Sequence, residues 1–295
     1  MLKKNNVFIV GTLVDVKTDV RTSKEGKNFI SGKASIKLNL NGVENIIDAR
    51  IFAMEKTKVG AENKMFKAYA GLESLKGTRV RVTGSLSEGS MIDERTGDIK
   101  HFNQIEAKFI NAAYSTDTED TATFEYSGFV TRPIYERKDK DDNLLGYRIE
   151  VAQANYNDTN CFVVRFDIDK EDVNKASVIE ANYITGSTVE FSGVLGAVTT
   201  IENKTVEADF GEPIVKTYAT TSKTYTIVSG NLPLAEDDDN AYKTDVIKTL
   251  VAAYKKADED RLTAARASAE TAAPVVNTAA AAMNAITRNA HASLI

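Results

Sequence analysis

Phe29, Lys33 and Lys37 fall on one side of an alternating run, and Arg50 and Phe52 fall on one side of the next. Aromatic rings stack on bases and cations neutralise phosphates. This mixture on one surface is what a sequence-tolerant groove for single strands requires. Other residues could serve the same chemistry. Arg21, Lys24 and Lys27 punctuate the polar stretch 17–27, and Arg79 and Arg81 alternate with Val80 and Val82. Arg95 sits in Asp93-Glu94-Arg95-Thr96-Gly97-Asp98, a turn signal, with His101 and Phe102 just beyond it. Arg132, Tyr135 and Arg137 form a second basic and aromatic cluster.

Few other chemistries have residues to carry them. The chain contains no phosphate-cradling glycine loop and no nucleophile elbow. One cysteine, Cys161, excludes a disulfide framework and a cysteine-based zinc site; within its apolar strand it reads as a buried, inert thiol. Two isolated histidines, His101 and His291, do not make a metal centre. We expect a protein that is not an enzyme and that needs no metal or cofactor. No run of 18 apolar residues would span a membrane, and residues 1–6 lead directly into a strand without a signal-peptide core, so the expected location is the cytoplasm.

The elements that position the first cluster are strands. Ile30, Gly32, Ala34, Ile36, Leu38 and Leu40 alternate strictly with Phe29, Ser31, Lys33, Ser35, Lys37 and Asn39. Asn41-Gly42 is a tight-turn signal, after which Ile47, Ala49 and Ile51 oppose Asp48, Arg50 and Phe52. Before them lies a β-branched run over 7–16, interrupted by Gly11. After them come helical spacing of Met65, Tyr69 and Leu72, a capping Gly77, and strands over 79–86 and 100–110. The order strand, strand, strand, helix, strand, strand is that of a five-stranded OB-type barrel. Such barrels bind oligonucleotides on strands 2 and 3 and with the loops joining strands 1–2 and 4–5. Arg21, Lys24, Lys27 and Arg95 lie in those loops.

Charge divides along the chain in the same sense. Residues 1–115 hold 19 Lys and Arg against 13 Asp and Glu, a surplus of six cations. Residues 116–230 hold 11 against 20, and residues 231–295 hold 7 against 9, which brings the total to the formal −5. A polyanion is therefore expected to meet the first segment.

At this point the sequence resembles the bacterial-type single-stranded DNA-binding proteins. The resemblance covers residues 6–113 and rests on four features. They are Gly11-Thr12-Leu13, Arg21 ahead of Gly26, the block L-K-G-x-R-V-x-V-x-G-x-L over 75–86, and Asp93 to Gly97. It implies a partner, single-stranded DNA, coated and protected during replication, recombination or repair, with replication or recombination proteins as further partners. It implies that bases stack on Phe29, Phe52 and Phe102 while Arg21, Lys33, Lys37, Arg50, Arg79 and Arg81 meet phosphates. Two departures stand out: the chain has no Trp, and its last residues, Arg288 to Ile295, lack the acidic tip with which family members recruit partners. A bacteriophage source, acting in the host cytoplasm, fits this reading. The alternatives are a phage structural or assembly protein using its barrels for protein contacts, or an RNA-binding module.

The pattern then recurs. Gly186, Val189, Phe191, Gly193 and Leu195 repeat Gly77, Val80, Val82, Gly84 and Leu86, and Gly128-Phe129-Val130 echoes Gly11-Thr12-Leu13. The expected fold class is mainly β, with two tandem OB-fold β-barrels followed by a C-terminal α-helix. The expected domains are 1–115, a linker over 116–123, a second OB-like domain over 124–230, a helix over 236–273 and a loosely ordered tail over 274–295. The stretch 218–228 reads as a further strand or hairpin beyond the second barrel. In the copy, Thr188 and Glu190 replace Arg79 and Arg81, so this barrel either extends the strand's path through Arg132, Tyr135 and Arg137 or serves as a structural module. The acids at 236–239 read as the helix start, favoured by its dipole. The stripe Tyr242, Val246, Leu250, Tyr254 docks on the second barrel or mediates self-association.

Overall fold

The computed structural model describes residues 3–93, 95–206 and 214–272. The chain begins with strands β1 (Asn5–Thr22), β2 (Asn28–Leu40) and β3 (Val43–Met54), then helix α1 (Lys64–Ala70) and a 3-10 turn (Leu72–Leu75). Strands β4 (Arg79–Ile92) and β5 (Ile99–Ala112) complete the first ring. β1 pairs with β2, β2 with β3, β3 with β5 in parallel at Arg50 and Glu106, β5 with β4, and β4 back with β1. This closed ring of five strands, with its helix between the third and fourth, is the barrel that the sequence pattern implies. Its lumen is filled by the alternating set: Ile30, Ala34, Ile36, Leu38, Ile47, Ala49 and Ile51 are all buried. Each such large aliphatic contributes about 1.5–3 kcal/mol by leaving water. Asn63 caps α1 by accepting from the Met65 N–H, and the helix delivers Tyr69 into the core, where its hydroxyl donates to the Ala107 carbonyl.

A second ring follows, from β6 (Thr121–Lys138), β7 (Leu144–Ala154), β8 (Cys161–Ile168), α2 (Val173–Asn182), β9 (Thr188–Val206) and β10 (Ile214–Gly230). Its pairings, β6–β7, β7–β8, β8–β10 in parallel, β10–β9 and β9–β6, repeat those of the first. The repeat extends to backbone devices. Gly77 and Gly186 hold left-handed φ values of 81° and 91°, and each donates its N–H to the bend of the ring's first strand, at Leu13 and Val130 respectively. A Cβ on Gly84 would lie 2.3 Å from the Glu106 carbonyl oxygen, and one on Gly193 would lie 2.0 Å from that of Thr226, so only glycine lets the fifth strand approach. The lumen differs: Phe124, Tyr126, Phe166 and Phe191 pack with ring centroids 4.7–6.4 Å apart.

Sequence expectations change at several points; helix α1, for one, ends at Ala70 with Gly71 rather than Gly77 as its cap. The stretch 218–228 does not lie beyond the second barrel; it belongs to β10, the fifth strand of that ring. Its Thr and Ser residues hid it, because only a few side chains such as Tyr225 and Ile227 face the core. The acids at 236–239 do not open the helix. Helix α3 (Thr244–Ala272) starts eight residues after Glu236. The acids lie in turns closed by Asp238 N–H to Ala235, Ala241 N–H to Asp238 and Asn240 N–H to the Asp238 carboxylate. The chain is anchored here by buried Ala241 and by Tyr242, whose N–H donates to Thr188 Oγ1, and this precludes an earlier helical start.

The rings are joined by strand pairing, Asn5 to Val10 of β1 against Tyr126 to Thr121 of β6, so β6 begins inside the stretch read as linker. The Tyr242–Leu250 stripe docks on the second barrel, with Tyr242 and Leu250 buried against Phe129, Ala152, Ala154, Cys161 and Val163. Burial pushes the Cys161 thiol up to about 12, and its S–H donates to the Leu250 carbonyl. Residues 92–100 and the helix from Lys255 form a second unit. There Lys100 and Arg95 both pair with Asp93, and Lys256 pairs with Asp260. The tail over 274–295, including Pro274 and His291, lies outside the described residues. No helix among the described residues is long and apolar enough to cross a membrane.

Candidate nucleic-acid interface

Register on the outer side of β2 and β3 sets Ser31 opposite Phe52, Lys33 opposite Arg50 and Ser35 opposite Asp48, while Arg21 of β1 lies opposite Phe29. The Phe29 and Phe52 rings meet diagonally, centroids 5.6 Å apart and tilted by 37°. Phe52 is 50% exposed, a large apolar surface left in water beside Arg50, which has no acidic partner among the described residues. Such a surface, two rings with a cation at their edge, has the chemistry of a stacking platform.

The other cations of this face vary in how firmly they are held. Arg21 pairs with Asp19 at 2.9 Å, Lys27 with Glu25 at 2.7 Å, and Lys37 with Glu44, all well exposed. Pairs of this kind are worth about 0–1 kcal/mol, so a phosphate can replace the carboxylate at little cost. Lys33 is held more firmly: its ammonium is 2.9 Å from Asp48, which also accepts from the Ser35 hydroxyl at 2.6 Å. Burial pushes the Asp48 carboxyl up. The bonds from Ser35 and Lys33, with the charges of Lys33 and Lys223 of β10, outweigh it and hold the group below the usual carboxylate range.

Residues not singled out in the sequence complete the site. Where the β1–β2 loop meets the loop after β3, a cavity of about 490 Å³ is lined by Lys27, Asn28, Met54, Lys56 and Lys58. Lys56 and Lys58 are exposed and lack an acidic partner among the described residues. Met54 faces Phe29 across the strands, so the cavity continues the aromatic platform. The signal was present as Lys56-Thr57-Lys58, but only folding brings that loop against Lys27. Lys24 is exposed in the same β1–β2 loop.

Other expected residues lie elsewhere. Arg79 and Arg81 hold the connector between the rings: Arg79 Nη1 is 2.6 Å from Asp120, and Arg81 is 4.0 Å from Asp117. His101 is turned inward, Nδ1 3.0 Å from the buried Glu88, with its ring 5.6 Å from that of Tyr254. Its ring is thus held between Glu88 and Tyr254. Phe102, its neighbour on the opposite side of β5, is 43% exposed and packs over Gly89. It borders a cavity of about 190 Å³ lined also by His101, Arg148, Arg165, Asp167 and Lys223. Arg95 is 90% exposed and 3.9 Å from Asp93, whose carboxyl is held low chiefly by Lys100.

In the second ring Arg132 lies over the Tyr135 ring at 3.7 Å, and Tyr135 donates to Glu150 at 3.0 Å. Burial, then Glu150, raises the Tyr135 hydroxyl. Arg137 and Arg148 share the buried Asp167, each at 2.8 Å. Arg165 sits 3.4 Å from Glu88 of the first ring and exchanges two backbone hydrogen bonds with the Asn103 side chain. The β7–β8 face is thus paired internally and docked, in contrast to the open β2–β3 face.

None of the curated proteins compared matches the chain's sequence. In fold it is similar to a deletion variant of the single-stranded DNA binding protein from Thermus aquaticus, at 16% identity and TM-score 0.50, covering 81% of this chain and 99% of that one. The wild-type Thermus aquaticus protein gives 16% and 0.49 over 81% and 97%. The small single-stranded DNA-binding protein from Streptomyces coelicolor gives 14% and 0.25 over 39% and 99%. At these identities the first likeness speaks for the fold alone, mainly β and built on a five-stranded barrel. The YorF family model matches residues 3–263, well over half of the sequence, and the chain belongs to that family.

Proposed function

We propose that the chain is a non-enzymatic protein that binds single-stranded DNA along the β2–β3 face. The observation that carries this reading is the tilted Phe29–Phe52 pair, half open to water, flanked by Arg50 and Arg21 and continued by Met54 into the cavity of Lys27, Lys56 and Lys58. Bases stack on the two rings while phosphates meet Arg50, Lys56 and Lys58 and exchange with the exposed carboxylates at Arg21, Lys27 and Lys37. The Thermus aquaticus variant of similar fold is a single-stranded DNA binding protein, which accords with this reading. Residues 1–115 act as the binding domain and 124–230 as a second OB-like domain that braces it.

Coating of exposed strands in replication, recombination or repair is the role such a face suits; in a phage-encoded chain it is exercised in the host cytoplasm. The apolar stripe of α3 is spent on the second barrel, so self-association would need other surface. The test is competition among oligo-dT, RNA and duplex DNA for the full chain at two salt concentrations. Single-stranded DNA is expected to win, with log K falling as log salt rises. Equal binding of all three, or affinity that ignores salt, refutes the assignment.

A further inference from the structure

The connector between the rings treats Arg79 and Arg81 as a nucleic-acid backbone would. Asp120 receives Arg79 Nη1 at 2.6 Å and the Asn39 N–H of β2 at 2.6 Å. The Asp117 carbonyl receives Arg79 Nε at 2.6 Å, and the Asp117 carboxylate lies 4.0 Å from Arg81. Arg81 itself sits against two rings, 4.7 Å from the Phe8 centroid and 5.1 Å from that of Tyr114, which is 65% exposed. The fit is incomplete. Arg79 Nη2 is buried without an acceptor among the described residues, so Asp120 answers Nη1 alone of the two terminal nitrogens and the Asp117 carbonyl takes Nε. A phosphate presents enough oxygens to meet both nitrogens.

Position links this row to the open face. Thr12 pairs with Lys37 of β2 on one side and with Arg79 of β4 on the other. At about 4.8 Å between strands, Arg79 therefore lies about 10 Å across the sheet from Lys37. Asp120, bonded to both β2 and β4, lies across that route.

We propose that Phe8, Arg79, Arg81 and Tyr114 form a second binding row for the backbone and bases of a single strand, and that the acidic connector occupies it as a phosphate mimic until a strand displaces it. The inference rests on the reading of the β2–β3 face as a single-strand site. It explains why fourth-strand arginines coexist with an acidic connector, and why the second ring, with Thr188 at the position of Arg79, lacks such a row.

The experiment compares the full chain with Asp117→Asn/Asp120→Asn for binding to long oligo-dT across a salt series. Freeing two phosphate contacts should raise affinity and steepen the slope of log K against log salt by about 1.4. The variant's advantage then shrinks about sevenfold between about 50 and about 200 mM salt. Adding Arg81→Ala should remove part of the gain. If the double variant does not fold, Asp117→Asn alone, which removes the charge facing Arg81 and keeps an amide oxygen to accept the Tyr114 N–H, should steepen the slope by about 0.7. An unchanged slope in a folded variant of a wild type that does bind overturns the masked row and leaves the β2–β3 face standing. A wild type that binds no single strand overturns both.

Discussion

Truncating Phe52 separates stacking from charge on the β2–β3 face. Its ring is 50% exposed and touches Phe29 at 5.6 Å, so Phe52→Ala removes a stacking partner while opening little of the core. The expected loss of fold stability is within about 0.5 kcal/mol, as for other surface sites. A base stacked on this ring is worth about 1–3 kcal/mol, so affinity for oligo-dT should fall about 5-fold to about 140-fold. The rings are in contact, so adding Phe29→Ala should cost less than a second full increment. Neither substitution removes a phosphate contact, and the salt slope should stay at the wild-type value. Lys56→Ala/Lys58→Ala should behave in the opposite manner, with a slope shallower by about 1.4. Fluorescence anisotropy of a labelled oligonucleotide across a salt series reads both quantities. Undiminished affinity in the Phe29/Phe52 double variant at low salt would refute the platform, and a changed slope in Phe52→Ala would refute the division of labour.

Three further outcomes follow from the packing and the titrating groups. Leu250→Ala empties a site that is 1% exposed between α3 and the second barrel, and should cost about 2–5 kcal/mol in denaturant unfolding. Asp48 has a lower carboxyl pKa when folded than its ordinary 3.8, so its stabilisation is present above that value and is lost as pH falls through the folded one. Asp48→Asn should therefore be less stable than wild type at neutral pH, with the difference closing in acid; a gap that persists there would show that charge is not the cause. Cys161, buried and with its thiol pushed up to about 12, should react with a thiol reagent only as the chain unfolds, and rapid native labelling would contradict its placement under Leu250.

How much of this was legible in the chain depends on how local each cause is. The alternation over 29–40 is local, and it correctly assigned Ile30, Ala34, Ile36 and Leu38 to the lumen and left Phe29 and Lys33 outside. The repeated Gly and Val positions over 77–86 and 186–195 are local too, because a left-handed turn and a close strand approach constrain single residues. Strand parity alone could also have separated His101 from Phe102, since neighbours in a strand point to opposite sides. The partners of the cations were not legible. Arg79 meets Asp120 and Arg165 meets Glu88 only because strands distant in sequence are brought side by side, and the cavity of Lys27, Lys56 and Lys58 needs two loops to converge. The β10 strand escaped detection because its Thr-rich alternation resembles an exposed hairpin.

The contrast between the rings bears on why one face is open. Topology gives both rings a second and third strand with outward cations, Lys33 and Arg50 in one, Arg148 and Arg165 in the other. In the second ring these cations are answered by buried acids: Asp167 takes Arg137 and Arg148, and Glu88 reaches across from β4 to Arg165. Removing one partner of a buried pair strands a charge in low dielectric at a cost of about 3–5 kcal/mol, so a phosphate would have to outbid a structural interaction. On the β2–β3 face of the first ring only Lys33 is held by a partly buried acid, Asp48; the pairs of Arg21, Lys27 and Lys37 are exposed and worth about 0–1 kcal/mol, and Arg50 has no acidic partner among the described residues. The same residue types on the same strands are thus committed to docking where acids are buried with them, and stay open to the proposed ligand where water remains. Net charge by segment divides the chain in the same sense, but burial of the counter-charges is what separates the two faces.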